Sequence, residues 1–199
     1  MNHATGAPVT GFVLAGGQST RMGTDKAFLQ LGRETLLARS LKLVSAVAGE
    51  VRIVGSAAKL GDYGSVVEDI YPNRGPLGGI HAALKTSATD LNLMLAVDLP
   101  FVEVRFLRYL ISRARASDAV VTVPRGGGGW QPLCAVYRRP FVMVAEESLL
   151  KGQNKIDALF RDVLAETIEE KELTRLGFSP TMFGNLNTPA DWEQARNHL

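Results

Sequence analysis

The chain has 199 residues, of which 46% are hydrophobic and 21% charged, a composition typical of one globular domain that buries about 70% of its unfolded surface. The net charge is only +2, and the sequence contains no block of like charge. This argues against a nucleic-acid or membrane partner. We expect any anion-binding site to be formed locally by a few residues. The single cysteine excludes an internal disulfide. We expect a cytoplasmic protein with no signal peptide and no membrane span.

Short β-branched runs alternate with helical periods, which predicts βαβ units around a mostly parallel sheet. Strands are expected, in chain order, at 11–15, 51–54, 66–68, 91–97, 119–123 and 131–138. Helices are expected at 36–47, from 77, at 104–114, from 140, at 156–160 and from 188. The four glycines at 126–129 predict a flexible loop. The whole of 1–199 is expected to form a single three-layer α/β domain, with 1–9 as a flexible N-terminus.

Two glycines and two cations follow the first predicted strand. Gly16 and Gly17 allow a backbone to approach phosphate closely, and Arg21 and Lys26 can neutralise charge on a phosphoryl group. A glycine turn with solvated charges explains the same residues equally well. The spacing is not that of a P-loop, because Ala27 follows the lysine where a hydroxyl is required, and the dinucleotide pattern G-x-G-x-x-G is absent.

Acidic residues follow two further strands. Asp98 comes directly after "LMLAV", where a carboxylate suits Mg²⁺ bound together with phosphate. The alternative is that Asp98 caps a helix beginning near Pro100. Asp69 follows "SVVE" and is open to the same two interpretations.

Polar side chains elsewhere are candidates for a second ligand. Asn185 and Asn187 alternate on an extended segment and could hydrogen-bond a heterocycle, although turn and capping roles are equally compatible. Gln131 could belong to a mobile rim around a second substrate. The three dispersed histidines form no metal cluster, and Cys134 is expected to be a buried structural thiol.

Taken together and in order, five segments resemble the molybdenum cofactor guanylyltransferases: "LAGGQSTRMGTDKA", "GPLGGI", "DLP", "QPLCAVY" and "NLNTPADW". The resemblance implies a single Rossmann-like nucleotidyltransferase domain that uses Mg²⁺. It implies transfer of GMP from GTP to the terminal phosphate of molybdenum-molybdopterin, with release of pyrophosphate. Transient contacts with cofactor-synthesis proteins or molybdoenzyme chaperones would follow.

The resemblance also assigns site residues. The residues implied for GTP binding are Leu14, Ala15, Gly16, Gly17, Lys26, Asp69 and Asp98. Arg21, Lys26 and Asp98 would be catalytic, with Asp98 also holding Mg²⁺, whereas Asn185, Asn187 and Gln131 would lie on the molybdopterin side. The Gly16-Gly17 pair and "GPLGGI" favour the guanylyl over the cytidylyl branch. The family's asparagine at the end of the second strand has no clear counterpart here, because the matching stretch is Val54-Gly55-Ser56.

The chemistry implied needs no enzyme nucleophile, because the attacking phosphate oxygen is already anionic. The protein would position two anions and neutralise their charge. Two alternatives remain: a cytidylyl or sugar-phosphate nucleotidyltransferase, and a GTP-binding protein that delivers cofactor without chemistry.

Overall fold

The computed structural model describes residues 6–16 and 25–186. The strands are β1 (Val9–Leu14), β2 (Gln30–Leu31), β3 (Glu34–Thr35), β4 (Glu50–Val54), β5 (Val66–Val67), β6 (Leu91–Ala96), β7 (Val121–Gly126), β8 (Gly129–Trp130), β9 (Cys134–Arg138) and β10 (Ala165–Ile168). The helices are α1 (Leu36–Ser45), α2 (Ala57–Leu60), α3 (Pro76–Thr86), α4 (Val104–Arg115), α5 (Phe141–Leu150), α6 (Ile156–Leu159) and α7 (Glu170–Arg175). The predictions for Gly17, Arg21, Asn187 and the helix from Thr188 lie outside the described residues.

The main sheet has the strand order β5-β4-β1-β6-β9-β7-β10, with β8 paired to β7 and β2-β3 forming a separate hairpin. All neighbours along this order pair in parallel except β9, which is antiparallel to both β6 and β7. The predicted mostly parallel sheet is therefore confirmed. The chain leaves β1 toward β4 on one side and returns to β6 on the other, so a crevice opens at the carboxyl ends of β1 and β6.

Apolar side chains alternate between the two faces of the sheet. Val9 and Val13 pack in the core beneath α1 and α4, whereas Phe12 and Leu14 pack in the core beneath α3 and α5. Helices therefore cover both faces, as the three-layer α/β prediction requires. Val9, expected in a flexible N-terminus, is instead the buried first residue of β1.

Two helix starts depend on local chemistry. Thr35 caps α1 by accepting a hydrogen bond from the backbone N–H of Ala38 at 3.2 Å. Gly75 precedes α3 with φ of 63°, a left-handed conformation that glycine adopts without steric cost, and Pro76 opens the helix. Among the described residues, no helix combines the length and apolar character that a bilayer crossing needs.

The glycine run at 126–129 is not simply a loop. Gly126 ends β7 and Gly129 begins β8, so the run forms the turn of a β-hairpin. Gly127 and Gly128 have φ of 58° and 84°, which suits a tight turn between twisted strands. The strand predicted at 131–138 begins only at Cys134, because the backbone of Gln131 is occupied in the hairpin, where its N–H bonds to Pro124 O at 2.9 Å.

Candidate active site

The residues after β1 enter the crevice between the neighbouring strands. The N–H of Ala15 donates to Val54 O at 2.9 Å, and the N–H of Val97 donates to Leu14 O at 3.1 Å. Gly16 is exposed, and a Cβ there would lie 3.6 Å from Gly55 Cα. The predicted GTP-binding residues Leu14, Ala15 and Gly16 therefore present their backbone at the switch point of the sheet.

A lysine and an aspartate meet at this crevice. Lys26 Nζ lies 3.6 Å from Asp98 Oδ2, and their side chains are 19% and 24% exposed. Lys26 begins a 3-10 turn, Lys26–Phe28, in which the buried Ala27 is anchored in the core. Asp98 follows the end of β6 by two residues. The structure thus brings together two residues that the sequence placed after different strands.

The alternative role for Asp98, capping the next helix, is not observed. The helix begins at Val104, and the residue at its N-cap position is Glu103. Asp98 is therefore available for chemistry at the strand end.

The turn that carries Lys26 is held by a residue that the sequence analysis missed. Asp25 caps this turn by accepting from the N–H of Ala27 at 3.3 Å, and its other oxygen lies 3.1 Å from Lys59 Nζ on α2. The position of Asp25 immediately before Lys26 was the only signal available, since its partner is distant in sequence.

The segment that contains Asn185 lies next to Asp98. The N–H of Leu186 donates to Asp98 O at 3.2 Å, while Asn185 itself is exposed. The preceding 3-10 turn is fixed on α4, where the rings of Phe183 and Phe106 pack edge to face with centroids 5.5 Å apart. Asn185 is therefore adjacent to the Asp98 backbone.

The side chain of Asp69 packs against the first turn of α3. A Cβ at Gly78 would lie 3.6 Å from Asp69 Oδ2, and one at Gly79 would lie 3.6 Å from Asp69 Oδ1. Desolvation on this side raises the pKa of the Asp69 carboxyl, although the residue as a whole remains exposed. The adjacent glycines Gly78 and Gly79 of "GPLGGI" thus have a packing reason: they let the chain after β5 pack directly against the helix.

The side chain of Gln131 closes the β7–β8 hairpin. Its Nε2 donates to Gly126 O at 2.8 Å. A Cβ at Gly126 would lie 2.5 Å from Phe183 Cδ2, so the hairpin packs closely on the Asn185 segment. Because β7 runs in the same direction as β6, the hairpin lies at the same edge of the sheet as Asp98. There the guanidinium of Arg125 stacks 5.1 Å from the Trp130 ring centroid.

The stretch that replaces the expected asparagine leads into α2. Ser56 is the exposed N-cap residue of that helix, without a side-chain capping bond. Glu68 Oε1 accepts from the N–H of Ala57 at 2.9 Å instead.

The described side chains at the crevice offer one carboxylate, that of Asp98, as a ligand for a metal ion. Among residues 6–16 and 25–186, no group of three or more His, Cys, Asp or Glu side chains could enclose a metal ion. Asp98 offers a single carboxylate, and Mg²⁺ commonly binds proteins through one or two carboxylates while phosphates and water complete its coordination. The Asp98 carboxylate is therefore of the kind that can bind Mg²⁺ together with the phosphates of a nucleotide.

The fold and the Lys26–Asp98 pair at its switch point place the chain among the single-domain α/β nucleotidyltransferases. A solved structure from Archaeoglobus fulgidus, described as molybdopterin-guanine dinucleotide biosynthesis protein A, superposes with a TM-score of 0.84. It is 25% identical in sequence, and the match covers 95% of this chain and 97% of that one.

The chain belongs to the MobA-like NTP transferase domain family, which matches residues 11–170. A Pelotomaculum thermopropionicum protein named "Probable molybdenum cofactor guanylyltransferase" is 39% identical, with 94% of this chain and 91% of the relative covered. A molybdenum cofactor guanylyltransferase from Desulfosudis oleivorans is 34% identical, with 94% of each chain covered. The family resemblance of the motifs is confirmed.

Proposed function

We propose that the protein transfers GMP from GTP to the terminal phosphate of molybdenum-molybdopterin, forming the guanine dinucleotide cofactor and pyrophosphate. The observation that carries the proposal is the Lys26–Asp98 pair at the carboxyl ends of β1 and β6, in a chain of this family. The names of its relatives supply the substrates. GTP as the donor argues for reaction in the cytoplasm.

The backbone of Leu14, Ala15 and Gly16 supports the guanosine and the α-phosphate at the carboxyl end of β1, where burial decreases from the buried Leu14 through the half-buried Ala15 to the exposed Gly16. The Asp69 side chain packs against the first turn of α3 and contacts GTP from that side. Gly17, which lies outside the described residues, is assigned to GTP with them. This arrangement uses backbone groups, which fix a ligand with little loss of conformational freedom.

An anionic oxygen of the acceptor phosphate attacks the α-phosphorus of GTP. A new P–O bond forms, the bond from the α-phosphorus to the bridging oxygen breaks, and pyrophosphate leaves with that electron pair. Lys26 offsets the negative charge on the departing pyrophosphate, together with Arg21, which lies outside the described residues. Asp98 would hold Mg²⁺, which when bound supplies further neutralisation of phosphate oxygens.

The acceptor lies toward the β7–β8 hairpin. Asn185 is adjacent to Asp98 and is exposed, and Gln131 shapes the hairpin that packs on the same segment. Asn187 would continue this side of the site. Delivery of the acceptor or removal of the product would involve brief contacts with cofactor-synthesis proteins or molybdoenzyme chaperones.

Incubation with each of the four nucleoside triphosphates and molybdenum-molybdopterin tests the reaction, with pyrophosphate release and dinucleotide formation as readouts. GTP alone is expected to give product. Exclusive use of CTP, or turnover only with a sugar phosphate, would identify one of the related nucleotidyltransferases instead. Tight binding of GTP without product, with active acceptor supplied, would indicate a delivery protein.

Two substitutions test the assigned residues. Asp98→Ala and Lys26→Ala are each expected to lower the rate of GMP transfer by about 10²- to 10³-fold, since each removes a group that stabilises developing charge. Lys42→Ala is a matched control, because that lysine is 79% exposed on α1. Both variants should remain folded by circular dichroism, and wild-type turnover in either would refute its assignment.

A further inference from the structure

One face of α3 is covered by the segment that follows Asp69. Gly78, His81 and Lys85 are spaced by three and four residues, so they share this face. A Cβ at Gly78 would lie only 3.2 Å from the carbonyl oxygen of Tyr71. The backbone of Tyr71 therefore rests directly on the helix, two residues after Asp69.

The side chain of Tyr71 continues along the same face. Its ring packs on the His81 ring with centroids 5.2 Å apart, and its hydroxyl lies 3.5 Å from Glu146 Oε1 on α5. Lys85 Nζ lies 3.2 and 3.3 Å from the two carboxylate oxygens of Glu146. Tyr71 is thus held at three points: its backbone on Gly78, its ring on His81, and its hydroxyl on Glu146. We call this set of contacts the Tyr71 clasp.

His81 is buried in this arrangement without a hydrogen-bond partner among the described residues. Its side chain is fully buried, yet neither ring nitrogen makes a hydrogen bond within residues 6–16 and 25–186. Nε2 lies 3.6 Å from Glu146 Oε1, beyond hydrogen-bond distance but close enough for electrostatic attraction. An apolar side chain would avoid the desolvation cost of these nitrogens, so the imidazole is a costly choice for packing alone.

We propose that Tyr71 is a positioning residue: through the clasp it fixes Asp69 on the first turn of α3 and so sets the affinity of the site for the nucleotide. The proposal depends on the proposed function for the contact between Asp69 and GTP. It does not depend on it for the positioning itself, which concerns only this chain. Tyr71 acts through Asp69 and does not touch the reacting atoms.

Kinetic measurements on Tyr71→Ala and Tyr71→Phe test the functional consequence. Tyr71→Ala is expected to raise the KM for GTP about tenfold, with kcat and the KM for molybdenum-molybdopterin changed by less than about twofold. Tyr71→Phe keeps the ring contact and should restore most of the affinity. In an Asp69→Ala background, Tyr71→Ala should cause no further rise, because the two residues act in series.

Hydrogen–deuterium exchange tests the positioning without any substrate. Backbone amides of residues 68–75 should exchange faster in Tyr71→Ala than in wild type, while those of the Lys26 turn remain unchanged. Glu146→Gln should show a smaller increase in the same segment. Glu147→Gln is the matched control, because Glu147 pairs with Lys151 on the exposed side of α5.

The outcomes separate the two proposals. If wild type makes no product from GTP, the proposed function fails, and the exchange experiment still decides the positioning. Unchanged exchange at 68–75 in a folded Tyr71→Ala variant would overturn the clasp. An equal rise in the KM for GTP with and without Asp69 would show that Tyr71 does not act through that residue and would overturn the proposal.

Discussion

Close packing around Gly79 limits the size of the side chain that this position in the first turn of α3 can accommodate. A Cβ there would lie 3.1 Å from Val54 Cγ1, 3.6 Å from Asp69 Oδ1 and 4.0 Å from Leu14 Cδ2. The first distance is several tenths of an ångström inside the ordinary carbon–carbon contact of roughly 3.5 to 4.0 Å. Val54 is buried, and its carbonyl is held by the N–H of Ala15, so it has little freedom to move.

Two substitutions of Gly79 should lower the free energy of unfolding by different amounts. Gly79→Ala gains up to about 1 kcal/mol from helix propensity and loses about 1 to 3 kcal/mol from overpacking, a net loss of about 1 kcal/mol. Gly79→Val adds methyl groups toward Leu14 and Asp69, and its expected loss is about 3 kcal/mol. Since both neighbours are assigned to GTP, the valine variant should also raise the KM for GTP at least about tenfold.

Urea unfolding gives the free energy of unfolding for each variant, and initial rates at varied GTP give the KM. Gly49→Ala is the control, because a Cβ at Gly49 would have no neighbour within 4 Å, and its effect should stay within about 0.5 kcal/mol. If Gly79→Val unfolds at the same urea concentration as wild type, the first turn of α3 does not pack on Val54 and Asp69 as described.

Two further predictions concern buried titratable groups. Burial lowers the pKa of His81, opposed by the Glu146 carboxylate, so the unfolded chain takes up a proton below about pH 6.5 that the folded protein does not. The free energy of unfolding should therefore decrease as pH falls from 6.5 to 5.5, and this slope should be smaller in His81→Leu; an equal slope would contradict the assignment. Burial also raises the pKa of the Cys134 thiol, which should react with a thiol reagent only on unfolding; fast labelling of the native protein would disprove this.

Most of the central sheet could be predicted from the sequence, because its strands are mainly apolar, with buried polar exceptions such as Thr10 in β1 and Asn92 in β6. All six residues of β1 and of β6 are buried, and such runs between turn signals are typical of parallel strands covered on both faces. The direction of β9 could not be predicted, since its apolar run resembles the others and only tertiary pairing makes it antiparallel. A local pattern specifies burial but not strand direction.

The elements that were missed lie at the periphery. β10 carries Glu166 and Thr167, which are only partly buried, and it pairs with β7 alone, so its sequence lacks a clear alternation. The next helix, α7, has a single buried residue, Leu173, in an otherwise charged stretch. Elements at the edge of the sheet bury few side chains, so the apolar periodicity in their sequence is weak.

The sequence indicated which residues follow the strands around the candidate site, but not which of these residues contact one another. Asp98 and Lys26 each follow a predicted strand, and the family resemblance assigns both to the GTP site. Their 3.6 Å approach, and the hydrogen bond between Leu186 and Asp98, join residues far apart in sequence. No local pattern encodes such pairings. The same limit applies to Tyr71, whose partners His81 and Glu146 lie on two different helices.

The hydrogen bond from Leu186 to Asp98 also has a consequence for synthesis of the protein. A ribosome releases β1, β6 and Asp98 well before Phe183 and Leu186, and chains grow at about 5 to 20 residues per second. The central strands can therefore pair while the segment that bonds to the Asp98 carbonyl oxygen is still being translated. A nascent chain would therefore hold Asp98 at the end of β6 before Leu186 is present to bond to its carbonyl oxygen, so the Asn185 side of the proposed site is completed after the strands that position Lys26 and Asp98.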